Sequence, residues 1–238
     1  MRASFRRALG RLHERFLVDV PGVTEVWLVR HGDAYGELGG PDDPAGATAA
    51  GETPDEVAQK GGRIDPPLSP RGREQALLLG HRLAASGVTR VWSSQLQRAR
   101  ETAKLAAAPG GLSLAVDDRL REVTTQWESE IDLPDQRPRD GSATPYMPFV
   151  EPLQEVVARM DAAVRAIAAE AGPDGRVAAV SHAGAISMYV AHVLRLDSGP
   201  LRMLPWFTSV TVVMVKDGDV VVQSVGDVGH LLRETADG

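Results

Sequence analysis

Two histidines, three arginines and a glutamate follow short apolar runs in this chain. Arg30 and His31 come after residues 24–29, a β-branched and apolar run. Ser93 and Ser94 stand at the end of a second short run, with Arg98 four residues further on. Arg121 and Glu122 follow a third run, residues 112–116. His182 follows a fourth, residues 177–181, and precedes Ala183-Gly184. Read as strands, these runs deliver all six residues to one rim, because ligands in open parallel sheets bind beyond the carboxyl ends of the strands. A single histidine in such a place is more often a hydrogen-bonded structural residue. The combination is harder to explain as packing, and it suits phosphoryl transfer. The planar fork of arginine matches phosphate oxygens bidentately, and N–H groups at helix starts add anion contacts. A neutral imidazole can attack phosphorus and hold the group covalently. A carboxylic acid can protonate the departing alkoxide and then take a proton from water.

The elements that must position these groups read as alternating strands and helices. Ser69-Pro70 opens a helix with serine as N-cap and proline at the first helical position. That helix runs to about residue 86, where Gly87 stops it. Residues 91–93 form a short strand, 95–107 a helix ended by Pro109-Gly110-Gly111, and 112–116 a third strand. Residues 152–171 are strongly amphipathic, with Val156, Met160, Ala163, Val164 and Ile167 on one stripe. A strand over 177–181 and a helix over 185–194 follow. Residues 209–215 and 219–225 read as a hairpin turned by Asp217-Gly218. The predicted class is α/β: a three-layer sandwich whose central sheet is mainly parallel, with helices on both faces and an antiparallel edge. No repeat or linker divides the chain, so 1–238 is read as one domain with 1–20 as an N-terminal helical arm.

The composition is that of an ordinary globular chain: 238 residues, 43% hydrophobic, 24% charged and no cysteine. Without cysteine there is no disulfide framework, thiolate-bound zinc or iron–sulfur cluster. A net charge of −6 argues against general nucleic-acid binding, and no apolar run approaches the roughly 20 residues a membrane helix needs. The N-terminus carries Arg2, Arg6, Arg7, Arg11 and Arg15 against Glu14 but has no secretory pattern, which points to a cytoplasmic protein. Phe5, Leu9, Leu12 and Phe16 share a helical face that would pack on the body or on a partner chain, making this arm a possible homodimer contact. The rarer meaning of such a stripe is a membrane-surface helix. High arginine and alanine usage suggests a bacterial source.

Several ordered blocks resemble the histidine phosphatase superfamily in its phosphoglycerate mutase-like branch. They are Leu28-Val29-Arg30-His31-Gly32, Pro67-Leu68-Ser69-Pro70-Arg71-Gly72 with Gln75-Ala76, and Ser93-Ser94-Gln95-Leu96-Gln97-Arg98-Ala99-Arg100-Glu101-Thr102-Ala103. Leu120-Arg121-Glu122, Ser181-His182-Ala183-Gly184 and the closing Gly229-His230-Leu231 complete the series. The resemblance implies that His31 becomes the phosphohistidine, that Arg30, Arg98 and His182 clamp the phosphoryl oxygens, and that Glu122 is acid and then base. It also implies that no metal or other cofactor is needed. Because Ala183-Gly184 rather than an aspartate follows His182, the sequence is similar to the mutase-type branch and not to the acid phosphatases and phytases.

Two departures bear on activity. The mutases proper continue after Arg-His-Gly with a Ser-Trp-Asn-like stretch, where this chain has Asp33-Ala34-Tyr35-Gly36. That favours a phosphomonoesterase over a mutase-like phosphotransferase, and the presence of both histidines, both arginines and the acid argues against a non-catalytic phosphate-binding protein. Members often carry Gly-x-Trp-Glu-Gly after the acid, whereas Thr125-Gln126-Trp127-Glu128-Ser129 keeps only Trp-Glu, so Glu128 is the second candidate for the acid. Asp33 is either a substrate contact or a solvated loop residue. Trp127, Tyr146, Met147 and Phe149 form either a lid over the substrate or a satellite apolar cluster. Glu101 reads as structural, and His230 receives no chemical role. His31 itself is expected at the solvent-facing end of its strand. The resemblance implies a small phosphorylated substrate or a phosphoprotein, selected by the variable insertions at residues 35–66 and 123–151.

Overall fold

The computed structural model of the protein describes residue 10 and residues 12–34, 65–124, 151–196 and 203–232. Six strands, β1 (Thr24–Arg30), β2 (Arg90–Ser93), β3 (Ser113–Val116), β4 (Arg176–Ser181), β5 (Val210–Lys216) and β6 (Asp219–Asp227), form one sheet. Their order is β3-β2-β4-β1-β5-β6. The first four in that order run parallel, and β5 and β6 add an antiparallel edge. The hairpin turns at Asp217 and Gly218, with φ of 49° and 88°. Positive φ at both central residues lets the turn follow the twist of its strands.

Helices α1 (Pro70–Ala85) and α2 (Gln97–Ala107) cover one face, and α3 (Leu153–Ala171) and α4 (Ala183–Val193) cover the other. This explains why β1 is apolar at nearly every position. Val26 and Leu28 pack against Met160, Val164 and Ile186, whereas Trp27 and Val29 pack against Leu79, Leu83 and Ala103. Successive side chains of a strand point to opposite faces, so covering both faces removes the polar alternation. The predicted three-layer α/β sandwich is therefore the observed fold.

Local chemistry sets the helix ends. The Ser69 hydroxyl accepts from the Gly72 N–H at 3.0 Å and caps α1, and Gly87 leaves that helix with φ +73°. α2 begins at Gln97 rather than 95, because Leu96 is extended and its N–H donates to the Ser94 hydroxyl. α4 begins two residues earlier than its periodicity suggests, with His182 at the N-cap position. In the N-terminal arm, residues 12–16 are helical, yet Leu12 and Phe16 are about half exposed, and it is Leu17 that enters the core. Phe5 and Leu9 lie outside the described residues. Among the described residues no helix is long and apolar enough to cross a membrane.

Candidate active site

The register of β1 on β4 pairs Arg30 with Ser181, so the next residues, His31 and His182, leave the sheet side by side. Their ring centroids are 5.1 Å apart at 57°. The register of β2 on β4 pairs Ser93 with Val180 and brings Ser94 to the same rim. Arg98, in the first turn of α2, reaches back and its Nε donates to His31 Nε2 at 3.2 Å. Four of the residues singled out from sequence are thus gathered from three strand ends. Contrary to the expectation for His31, it does not face solvent: it is 2% exposed, walled by His182 and by Phe207, whose ring centroid lies 6.0 Å away.

The two imidazoles are held differently. His31 Nδ1 lies 2.8 Å from the Gly32 carbonyl. A carbonyl can only accept, so Nδ1 carries the proton and Nε2 carries the lone pair. Burial pushes the His31 pKa well below the ordinary 6.5, and the charges of Arg98 and Arg30 push it further. His182 Nε2 lies 2.9 Å from the Ser94 hydroxyl, while Nδ1 is buried with no hydrogen-bond partner among the described residues. Its pKa is also well below 6.5, through burial and then the charges of Arg98, His31, Arg159 and Arg30. Both rings are therefore neutral near pH 7, which is the nucleophilic form of an imidazole.

Each arginine is fixed by residues that sequence reasoning missed. Arg30 donates from Nη1 to the Pro205 carbonyl at 3.0 Å, and its guanidinium carbon sits 3.8 Å from the Phe207 ring centroid. The segment carrying Phe207 is tied down by Thr208, whose N–H donates to the Arg30 carbonyl at 3.0 Å. Thr208 is fully buried with φ 54°, a left-handed conformation that a β-branched residue adopts only under constraint. His230 Nε2 lies 3.1 Å from its hydroxyl, and Arg82 approaches His230 Nδ1 at 3.3 Å. The closing histidine thus supports the wall of the site from behind. Arg98 is held by Asp65, which accepts from Arg98 Nη1 at 3.2 Å and from the N–H of Gln97. Thr102 bridges the two halves, accepting from the Gly32 N–H at 2.9 Å and donating to the Arg98 carbonyl at 2.7 Å. Gly32 itself permits the closure, since a Cβ there would stand 2.6 Å from the Gly72 carbonyl oxygen.

The carboxylates separate by environment. Asp33 is not a solvated loop residue; it is buried, and its Oδ2 accepts from the Ser69 hydroxyl at 2.8 Å. Its N–H donates to Gln75 Oε1 at 2.9 Å. Glu101 accepts from the Leu68 N–H and pairs with Arg73, a structural role as expected. The Glu122 carboxylate rests on the start of α4, directly after His182. Its Oε1 accepts from Val123 N at 2.8 Å and Ala185 N at 3.0 Å, and its Oε2 from Gly184 N at 3.3 Å. Trp127, Glu128, Tyr146, Met147 and Phe149 lie outside the described residues, as do residues 35–64. Chemically, two guanidiniums and two neutral imidazoles are groups that can bind a dianionic phosphoryl group, and the carboxylate stands at the helix start directly after His182.

Comparison with known proteins agrees with this geometry. Residues 26–228 match the family described as the histidine phosphatase superfamily, branch 1. The chain is 31% identical over 186 residues to a probable phosphoglycerate mutase GpmB of Citrobacter koseri, across 71% of this chain and 86% of that protein. Its fold is similar to that of a phosphoglycerate mutase from Bacillus anthracis, with TM-score 0.61 and 22% identity over 89% of this chain and 96% of that one. It is also similar to a phosphoserine phosphatase mutant of Entamoeba histolytica in complex with phosphoserine, with TM-score 0.60 and 19% identity over 88% of this chain and 100% of that one.

Proposed function

The chain belongs to the histidine phosphatase superfamily, and on that premise we propose that it is a phosphomonoesterase working through a phosphohistidine on His31. The observation that carries this reading is the state of His31: a buried neutral ring, its Nδ1 proton committed to Gly32, with the Nε2 lone pair facing Arg98. In the first step His31 Nε2 bonds to phosphorus as the ester P–O bond breaks, and the departing oxygen takes a proton from Glu122. In the second, Glu122 takes a proton from water, the water oxygen bonds to phosphorus, and the P–N bond breaks to release inorganic phosphate. Arg30, Arg98 and His182 hold the non-bridging oxygens throughout. The two guanidiniums supply positive charge where negative charge is greatest. Oε2 of Glu122 makes the single long hydrogen bond of that carboxylate, which suits it to carry the mobile proton.

The test is incubation with labelled aryl phosphate, followed by trapping. A phosphatase releases inorganic phosphate and leaves an acid-labile, base-stable adduct on His31. The second reading, a phosphoglycerate mutase-like phosphotransferase, is favoured by the name of the 31% identical relative. It uses the same phosphohistidine but shows turnover only with a phosphorylated primer. Binding without either turnover or adduct overturns both.

A further inference from the structure

We infer that Arg159, held by Glu151, is a positioning residue that aims the Glu122 carboxyl at the leaving oxygen. This rests on the reading of Glu122 as the general acid. Arg159 lies on α3 among the buried positions Val156, Met160 and Ala163, and its side chain is 9% exposed. Its Nη1 donates to the carbonyls of Arg119 at 2.8 Å and Arg121 at 2.7 Å, and its Nη2 to the carbonyl of Glu122 at 3.2 Å. Nε and Nη2 also donate to the two oxygens of Glu151, at 2.7 and 3.0 Å. Glu151, with its side chain 4% exposed, in turn accepts from Arg121 Nη2 at 2.7 Å and from the Thr124 N–H at 3.2 Å.

One ion pair therefore holds residues 119, 121, 122 and 124, the irregular segment on which Glu122 stands. Burial alone would raise the Glu151 pKa, but the hydrogen bonds and charge of Arg159 outweigh it and keep the group below the ordinary carboxylate range. A buried ion pair adds little stability over apolar residues of the same size. Here it supplies a rigid backbone beneath a carboxylate whose head is pinned by Gly184 and Ala185. Misplacing a catalytic group by about 1 Å can cost on the order of 10²-fold in rate. The Arg159 hydrogen bonds go to backbone carbonyls and to Glu151, so its positioning effect passes through the segment that carries Glu122, while its charge also helps hold the His182 pKa below 6.5 and is kept in a lysine variant.

The experiment compares Arg159→Lys and Glu151→Gln with Glu122→Gln, using glycerol phosphate and 4-nitrophenyl phosphate. The readout is kcat/KM, which reports phosphorylation of His31 and is insensitive to later hydrolysis. Lysine keeps the charge but loses the fork that spans three carbonyls. The expected result is a loss at least about 10-fold larger on the alkyl than on the aryl ester, because an alkoxide needs the proton and a nitrophenolate does not. A purely structural role would lower both substrates equally. If Glu122→Gln shows the leaving-group dependence while both other variants lose equally on the two substrates or lose nothing, the proposal is overturned and the reading of Glu122 stands. If Glu122→Gln shows no such dependence, the reading of Glu122 falls and the proposal with it. Should Arg159→Lys not fold, Glu151→Gln decides; failure of both to fold overturns the proposal in favour of a folding role.

Discussion

The Nε–H of Arg98 points at the Nε2 lone pair of His31 from 3.2 Å, while Asp65 holds the far side of the same guanidinium. A positive donor thus stands beside the nitrogen that would bond to phosphorus, and its charge adds to the burial that holds the His31 pKa well below 6.5. Arg98→Ala should raise KM and lower kcat together, since the charge binds the substrate phosphate and binds the transition state more strongly. A fall of roughly 10²–10³ in kcat/KM is expected, the cost of one preorganised donor. Steady-state kinetics on an aryl phosphate measures it, and unchanged constants would remove Arg98 from the site.

His31→Ala should abolish both turnover and the trapped adduct. Because the ring is buried and not at an exposed strand end, alanine leaves a void between His182 and Phe207. A stability loss of about 1–3 kcal/mol is expected, with the folded circular dichroism spectrum retained. A variant that still labels with phosphate would mean a different nucleophile.

Phe207 tests whether the ring under Arg30 matters for binding. A desolvated guanidinium on an aromatic face is worth about 2 kcal/mol, equivalent to a factor of about 30 in KM. Phe207→Leu should raise KM by up to that factor, and Phe207→Tyr should restore it because the ring face is kept. Equal KM values in the wild type and the leucine variant would show that the Phe207 ring does not contribute to holding Arg30.

Gly184→Ala separates stability from activity. A Cβ at Gly184 would lie 2.9 Å from Glu122 Oε1 and 3.2 Å from Val123 Cγ2, so the carboxylate must shift. Alanine is the better helix former, by about 1 kcal/mol. Thermal melting should therefore change little, while kcat/KM on an alkyl phosphate falls about 10-fold or more, the scale of a misplaced acid. Loss of melting temperature with unchanged kinetics would contradict the placement of Glu122.

Three histidines make the fold sensitive to acid. His31 and His182 titrate well below 6.5 through burial and then the charge of Arg98, and His230 titrates at about 4 through burial and Arg82. An unfolded chain binds these protons near pH 6.5. Between 6.5 and the folded values the unfolded state carries more protons, so unfolding becomes easier as pH falls. Above 6.5 these groups are neutral in both states and contribute no pH dependence. Urea midpoints should drop between pH 7 and 5, and His230→Gln should flatten that slope. A midpoint that rises on acidification would show that other groups dominate.

The strands, the helices and the gathering of Arg30, His31, Arg98 and His182 were legible in the sequence because their signals are local. An apolar run marks a strand buried on both faces, and the rule that ligands sit at carboxyl ends then selects the next residue. Ser69-Pro70 and Asp217-Gly218 mark their ends by backbone chemistry that needs no partner. Other features depend on which elements become neighbours, and periodicity carries no such information. His31 and His182 touch because β4 inserts between β2 and β1, as the order β3-β2-β4-β1-β5-β6 shows. Phe207 lies under Arg30, and Arg159 grips the carbonyl of Glu122 from 37 residues away. Arg159 left one trace, a charge set among the buried positions Val156, Met160 and Ala163 of an amphipathic helix. The burial of His31, and through it the neutral ring with its proton on Nδ1, was decided by tertiary structure alone. Desolvation and hydrogen-bond geometry depend on every side chain packed around a group and not on those beside it in the chain.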